Sequence, residues 1–243
     1  MVVSDASDSR LANLTQWMIE DLGFAGACIA PASADASFRR YFRVTREADS
    51  YIVMDAPPDK EDSHPFLKVA RILGSLDLNV PIVLARDMER GFLLLSDLGS
   101  RLYLDALSQD GAADELYADA LKSLRIIQTA DAGISRELPP YDRALLLREM
   151  ELLPEWFLTR HLGLTVTAAE RAMLNRLFES LVEAAVSQPV CFVHRDYHSR
   201  NLLVAPNNNP GILDFQDAVW GPVTYDLASL LKDCCLPTDG RCR

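Results

Sequence analysis

The chain has 243 residues, of which 35 are acidic and 24 are Lys or Arg, giving a formal net charge of -11. That balance excludes a sequence-independent nucleic-acid binder, which needs clustered cations to displace the counterions of a phosphate backbone. No run approaches the roughly 20 apolar residues that cross a bilayer, so no membrane partner is expected. The opening MVVSDASDSR has no signal-peptide core, and the expected compartment is the cytoplasm.

At this length the chain can bury a sizeable core as one domain or two lobes. Its five cysteines, Cys28, Cys191, Cys234, Cys235 and Cys242, contain no C-x-x-C pair and read as buried or incidental thiols.

The first predicted element is a helix in "DSRLANLTQWMIEDLG", with Leu11, Leu14, Trp17 and Met18 on one face, Asp8 as the cap and Gly23 as the stop. Strands follow in "GACIA", "SFRRYFRV" and "SYIVMDAP". In the second, Phe38, Arg40, Phe42 and Val44 alternate with Arg39, Tyr41 and Arg43, and Pro57 and Pro58 end the meander. "HPFLKVARILGSLDL" has helical spacing, and "VPIVLA" and "GFLLL" read as strands.

Beyond Asp97 and Gly99 the pattern turns helical. "DELYADALKSLRIIQTA", "YDRALLLREMELLPEWFLTRHLG" and "TAAERAMLNRLFESLVEAAV" each carry an apolar stripe suited to packing in a bundle. The order predicts an α+β fold with a strand-rich lobe over 1–96, a hinge near Leu95 to Gly99 and a helical lobe over 97–243.

The stretch "FVHRDYHSRN" crowds charged and amide groups behind an apolar run, and "NLLVAPNNNPGILDFQD" follows as a hairpin ending near Asp214 and Asp217. Phosphoryl transfer needs one carboxylate to orient the attacking hydroxyl and accept its proton. It also needs a carboxylate and an amide oxygen to hold the metal on the nucleotide phosphates. Asp196, Asn201 and Asp214 suit those roles in that order. His194 to Asn201 also matches the H-R-D-x-x-x-x-N catalytic loop, with "LDFQD" where kinases carry D-F-G.

"FVHRDYHSRNLLV", "GILDFQDAVWGPVTYDLASLL" and the order of the two lobes resemble the aminoglycoside phosphotransferase family, the small-molecule branch of the protein-kinase-like fold. "ADASFRRYFRV", "SYIVMDAPP", "GFLLLSDLG" and "FQDAVWGPVTYDL" are similar to its anomeric amino-sugar kinases of peptidoglycan recycling. The resemblance implies a bilobal fold and ATP-dependent phosphorylation of the anomeric hydroxyl of N-acetylmuramic acid or N-acetylglucosamine. It also implies Asp196 as catalytic base, Asn201 and Asp214 as Mg2+ ligands, and His194 as a brace for the loop. Asp226 reads either as an acid tying the last helix to that loop or as a first-turn carboxylate favoured by the helix dipole. His198 and Asp217 sit beside the ligands and would touch phosphate or water, a plain solvated loop being the other reading.

The third-strand Lys and its helix Glu, which hold the first phosphates in kinases, are both missing: Met54 or Asp55 stands at the Lys position. Arg39 and Arg43 are the candidate replacements, since guanidinium groups donate paired hydrogen bonds to phosphate. A plain solvated strand face is the alternative.

In the loop "PASADASF", Ser37 and the small Ala34 and Ala36 would let backbone approach phosphate, and Leu95 at the hinge is a further nucleotide contact. For the acceptor, Glu149 and Trp156 fall on one predicted helical face as a sugar platform, with core packing as the other reading of Trp156, and His198 completes the candidates. The chain stops at "LPTDGRCR", so the helical lobe reads as truncated, with Leu227, Leu230 and Leu231 as an uncovered face for a homodimer. Two alternatives stand beside the sugar kinase: an aminoglycoside or other amino-alcohol kinase, and an inactive nucleotide-binding pseudokinase.

Overall fold

The computed structural model describes residues 8–34, 38–107, 113–130, 133–134 and 137–233. By packing they form two compact units. One runs to Leu116 and takes back Arg200–Gln216, and the other comprises Tyr117–Ser199 and the chain from Asp217.

The first unit holds a five-stranded antiparallel sheet in the order β1 (Cys28–Ala34), β2 (Arg40–Arg46), β3 (Asp49–Asp55), β5 (Phe92–Ser96), β4 (Val83–Asp87). Helix α1 (Ser9–Glu20) begins where the Asp8 carboxylate accepts the Leu11 N–H. It ends before Gly23, whose positive φ of 74° lets the Phe24 N–H return to the Met18 carbonyl. Its Leu14, Trp17 and Met18 are buried against Phe42, Val44, Val53, Phe92 and Leu94 of the sheet. The predicted alternation of β2 holds from Arg40 onward. Phe38 lies outside the strand and is exposed beneath the Lys60 ammonium instead of buried.

Alternation also carries Arg40 and Asp55, which pair across β2 and β3, to the α1 face. The Asp55 carboxylate is wholly inaccessible, and the guanidinium groups of Arg10 and Arg40 clamp it from α1 and β2. Arg40 reaches Asp8 as well. Two cations on one buried anion satisfy the oxygens that burial strips of water.

Helix α2 (His64–Ser75) buries Phe66, Val69, Ala70, Ile72 and Leu73. The hairpin of β7 (Leu202–Leu203) and β8 (Gly211–Ile212) is fastened to the same unit. The Ile212 N–H donates to Asn79 O at 2.8 Å, the Val204 N–H to Arg101 O at 2.8 Å, and Asn209 Nδ2 to the Tyr103 hydroxyl at 2.7 Å. Sequence order alone groups this hairpin with the helical half, whereas its packing partners belong to the first unit. α3 (Tyr103–Leu107) completes that unit.

In the second unit α4 (Ala113–Gln128, whose first residues belong to the first unit), α5 (Arg143–Met150) and α6 (Ala168–Val186) accompany a two-stranded sheet of β6 (Val190–Val193) and β9 (Val219–Pro222), followed by α7 (Tyr225–Leu231). Strand β9 lies in "AVWGPV", where Gly-Pro reads as a turn. The predicted long helix from Tyr141 to Gly163 is broken. Pro154 has no N–H to continue the α-ladder, and Leu153–His161 takes a wider π-helical path, closed by the Leu162 N–H on Phe157 O at 3.0 Å. α6 starts with a reciprocal Thr167–Glu170 capping box but buries only Phe178 and Val182. Its Met173, Leu177 and Leu181 are exposed among the described residues, as are Leu227 and Leu231 of α7, whereas Leu230 is buried.

Cys191 is buried and Cys28 exposed; the remaining cysteines lie outside the described residues. No helix among the described residues is long and apolar enough to cross a membrane.

Replacing Arg10 and Arg40 together by Met leaves Asp55 uncompensated. The expected loss in unfolding free energy is about 3–5 kcal/mol, against about 1–3 kcal/mol for Asp55→Asn, which keeps a hydrogen-bonding side chain in place. Urea denaturation of the full chain measures both.

Candidate active site

In the second unit the loop leaving β6 is held at both ends by acids on or just beyond α7. Asp226 is 1% exposed. Its two oxygens accept the His194 N–H at 2.7 Å and the Arg195 N–H at 3.0 Å. Asp233, also buried, accepts the Ser199 N–H at 2.8 Å. Between these anchors the His194 imidazole, wholly buried, accepts the Asp196 N–H on Nδ1 at 3.3 Å and stands edge-on to Tyr197. The Tyr197 hydroxyl donates to Ala120 O on α4 at 2.8 Å. The Asp196 side chain is half-buried on a loop whose backbone is pinned on either side.

Arg195 has a positive φ of 78°, an uncommon conformation for a residue with a side chain. Its guanidinium lies over the Tyr141 ring and pairs with Glu149 of α5. Burial works against the Arg195 charge, but Glu149 outweighs it and holds the group well above its usual range. Glu149 takes the Tyr141 hydroxyl on its other oxygen, so it joins Arg195 of the loop to Tyr141. β9 comes so close to Tyr141 that a Cβ on Gly221 would lie 2.5 Å from the Tyr141 Cβ.

In the first unit Asn201 and Asp214 flank the hairpin. The Leu213 N–H donates to Asn201 O at 2.9 Å, and Asn201 Nδ2 lies 3.4 Å from Asp214 Oδ2. Asp214 also has a positive φ, 59°. Phe215 is fully buried, its ring 5.0 Å from Phe66 of α2. Gln216 Nε2 donates to Asp214 Oδ1 at 2.6 Å.

The Asn201 amide stands beside the Asp214 carboxylate with its nitrogen donating to Oδ2; with the amide turned over, its oxygen and the carboxylate would form a donor set for Mg2+, which binds through one or two carboxylates and completes its shell with water and phosphate oxygens. Among the described residues no group of three or more His, Cys, Asp or Glu forms a self-sufficient metal cage.

The other candidates are dispersed. Arg43 is bidentate to Asp97, at 2.7 and 3.1 Å, and donates to Gly99 O at 2.9 Å, so it ties β2 to the segment after β5. Burial raises the Asp97 pKa, but Arg43, Ser50 and the Gly99 N–H outweigh it and leave it lowered. Arg39 pairs with Glu61 at 3.2 Å, both largely buried; Glu61 also accepts the Phe38 N–H. Leu95 is buried in β5. Ser37 lies outside the described residues.

Trp156 is 53% exposed with the Arg160 guanidinium 4.0 Å above its ring, which overturns the core-packing reading. The break after Met150 removes the continuous helical face expected to join Trp156 to Glu149. His198 donates its N–H to Asp196 O at 3.1 Å, and its buried Nδ1 has no partner among the described residues.

Three residues escaped sequence reasoning: Glu61, Gln216 and Asp233. Glu61 sits in a polar stretch and Asp233 in "SLLKDCCL", and no motif marks either. Gln216 occupies the D-F-G glycine position, a departure that was itself a signal.

Residues 29–243 match the model of the phosphotransferase enzyme family. The chain belongs to that family. It is 47% identical to the N-acetylmuramate/N-acetylglucosamine kinase of Pseudomonas putida over 93% of this chain and 68% of the relative. It is 52% identical to the enzyme of the same name from Pseudomonas aeruginosa over 84% and 60%. The chain thus spans between three fifths and about two thirds of the length of these relatives.

Among solved structures, ADP-bound aminoglycoside phosphotransferase APH(2'')-Ib superposes with a TM-score of 0.65 at 18% identity, covering 90% of this chain and 75% of the other. The GDP complex of aminoglycoside 2'-phosphotransferase-IIIa gives 0.66 at 17%, covering 93% and 79%. At such identities the likeness is one of fold, and it establishes the expected α+β, kinase-like class for this phosphotransferase.

Burial pushes the Asp226 carboxyl up to about 7; the two N–H donors work to lower it, and the Asp196 charge adds to the rise. The folded chain therefore holds this proton more tightly than the unfolded chain, where Asp titrates near ~3.9. The stabilising contribution is fully present below about pH 4 and is lost as pH rises towards about 7. Asp226→Asn should flatten that dependence, and one unpaired backbone N–H should lower stability by about 1–3 kcal/mol. Melting temperatures of parent and variant across that range check both effects.

Proposed function

We propose that the chain is an ATP- and Mg2+-dependent kinase that phosphorylates the anomeric hydroxyl of N-acetylmuramic acid or N-acetylglucosamine, a cytoplasmic step in the recycling of peptidoglycan. One observation carries the reading: a loop pinned at both ends by buried carboxylates that presents Asp196, in a member of a family whose relatives are named for those two sugars.

In this reading Asp196 accepts a hydrogen bond from the anomeric hydroxyl, aims its oxygen at the γ-phosphorus and takes the proton. The new P–O bond to the sugar forms as the bond to the ADP oxygen breaks. Asn201 and the Asp214 carboxylate would hold a magnesium ion, which would offset phosphate charge when bound. His194 acts through the loop backbone as a brace.

Arg39, whose guanidinium pairs with Glu61, is the proposed substitute for the missing third-strand Lys. Arg43, Ser37 and Leu95 complete the proposed nucleotide contacts. Trp156, whose exposed ring suits the apolar face of a sugar, and His198 are proposed for the acceptor, with Glu149 serving it through Arg195. The functional lobes are proposed as 1–96 and 97–243, and self-association through the exposed leucines of α7 as a homodimer contact.

Asp196→Asn should lower kcat by about 10²- to 10⁴-fold, the usual contribution of a general base, with nucleotide affinity little changed. Turnover within a few-fold of the parent would remove Asp196 from the role. The methyl glycoside of N-acetylglucosamine, blocked at the anomeric oxygen, should not react at all. Equal turnover of glycoside and free sugar in a coupled ADP assay would exclude the anomeric hydroxyl and favour an amino-alcohol acceptor.

A further inference from the structure

Gln216 stands where the D-F-G triplet has glycine, and its side chain is 8% exposed. The orientation of its amide is set by chemistry. The nitrogen lies 2.6 Å from Asp214 Oδ1, and the reversed amide would bring two acceptors to that distance. The carboxamide oxygen is therefore turned away from Asp214, and it is buried with no partner among the described residues.

A buried acceptor left unpaired is costly, and such groups mark the place of an unseen water or ion. The backbone leaves Gln216 little freedom to escape, because Phe215 is locked against Phe66 immediately before it.

The two ends of this amide have distinct uses. By occupying Asp214 Oδ1 at 2.6 Å, the Nε2 donor leaves Oδ2, which takes only the long 3.4 Å hydrogen bond of Asn201 Nδ2, as the oxygen that a cation can claim. Bound Mg2+ keeps several waters, whose protons are polarised donors. A buried carboxamide oxygen beside the ligating carboxylate is a fitting acceptor for one of them. We infer that Gln216 is an outer-sphere positioning residue of the metal site: its Nε2 fixes which oxygen of Asp214 faces the cation, and its Oε1 receives a hydrogen bond from a metal-bound water. The inference rests on the proposed roles of Asn201 and Asp214.

The test measures metal binding by the full chain. Manganese(II), read by the loss of its free electron-paramagnetic-resonance signal, is titrated in the presence of the non-hydrolysable ATP analogue AMPPNP, using the parent, Gln216→Leu, Gln216→Met and Asp214→Asn. Outer-shell partners of metal ligands typically change affinity by about 10- to 100-fold. Both Gln216 variants should weaken Mn2+ by about tenfold or more while melting close to the parent.

A folded Gln216 variant within twofold of the parent overturns the inference and leaves the metal site standing. Unfolding of both variants would assign Gln216 to the fold and also overturn it. If Asp214→Asn binds Mn2+ as well as the parent does, the metal-site reading itself fails, and the inference with it.

Discussion

The Asp226 carboxylate, almost fully withdrawn from water, accepts two consecutive backbone N–H groups at the point where β6 runs out. Without it those donors would be buried and unpaired, and the chain would have no reason to turn sharply after Val193. The same turn forces Arg195 into a left-handed conformation, and strain of that kind persists only where the surroundings over-determine it. Here they do: Asp226 holds the backbone, while Glu149 and the Tyr141 ring hold the guanidinium. Asp233 fixes the far end of the loop on Ser199. One short helix and the residues beside it thus hold the loop that carries Asp196 at both ends.

The first unit obeys a similar rule with different chemistry. Asp214 is also left-handed, and its position is set by Phe215 on α2 and by the Gln216 amide. Asp55 is one of the two residues at the position where a kinase lysine is expected. Alternation turns it toward α1, where two arginines neutralise it. The missing lysine is therefore not replaced at the same position, and two further arginine–carboxylate pairs of the unit, Arg39 with Glu61 and Arg43 with Asp97, lie on neighbouring segments.

What the sequence made legible follows from range. Asp8 as a cap, Gly23 as a stop and the alternation of β2 are local patterns; the first two stand where they were expected, the alternation holds from Arg40 onward, and the H-R-D-x-x-x-x-N stretch forms the loop after β6. The pairing of Glu149 with Arg195, the tie from Asp233 to Ser199 and the clamp on Asp55 join residues far apart in the chain, and no periodicity encodes them. Trp156 was ambiguous for a different reason. Helical spacing assigned it to a stripe, but Pro154 shifts the helix to a wider path and leaves the ring in solvent under Arg160. Strand β9 was hidden because Gly-Pro usually marks a turn; here Gly221 is required by the close approach of Tyr141.

We propose that the loop pinned by Asp226 and Asp233 directs phosphoryl transfer to one oxygen of an amino sugar. A nuclear magnetic resonance spectrum of the product formed from ATP, Mg2+ and N-acetylglucosamine labelled with carbon-13 at C1 reads that oxygen directly. The labelled carbon should gain a scalar coupling to phosphorus, the mark of a sugar 1-phosphate. A phosphorylated product whose labelled carbon shows no such coupling would rule out the anomeric oxygen.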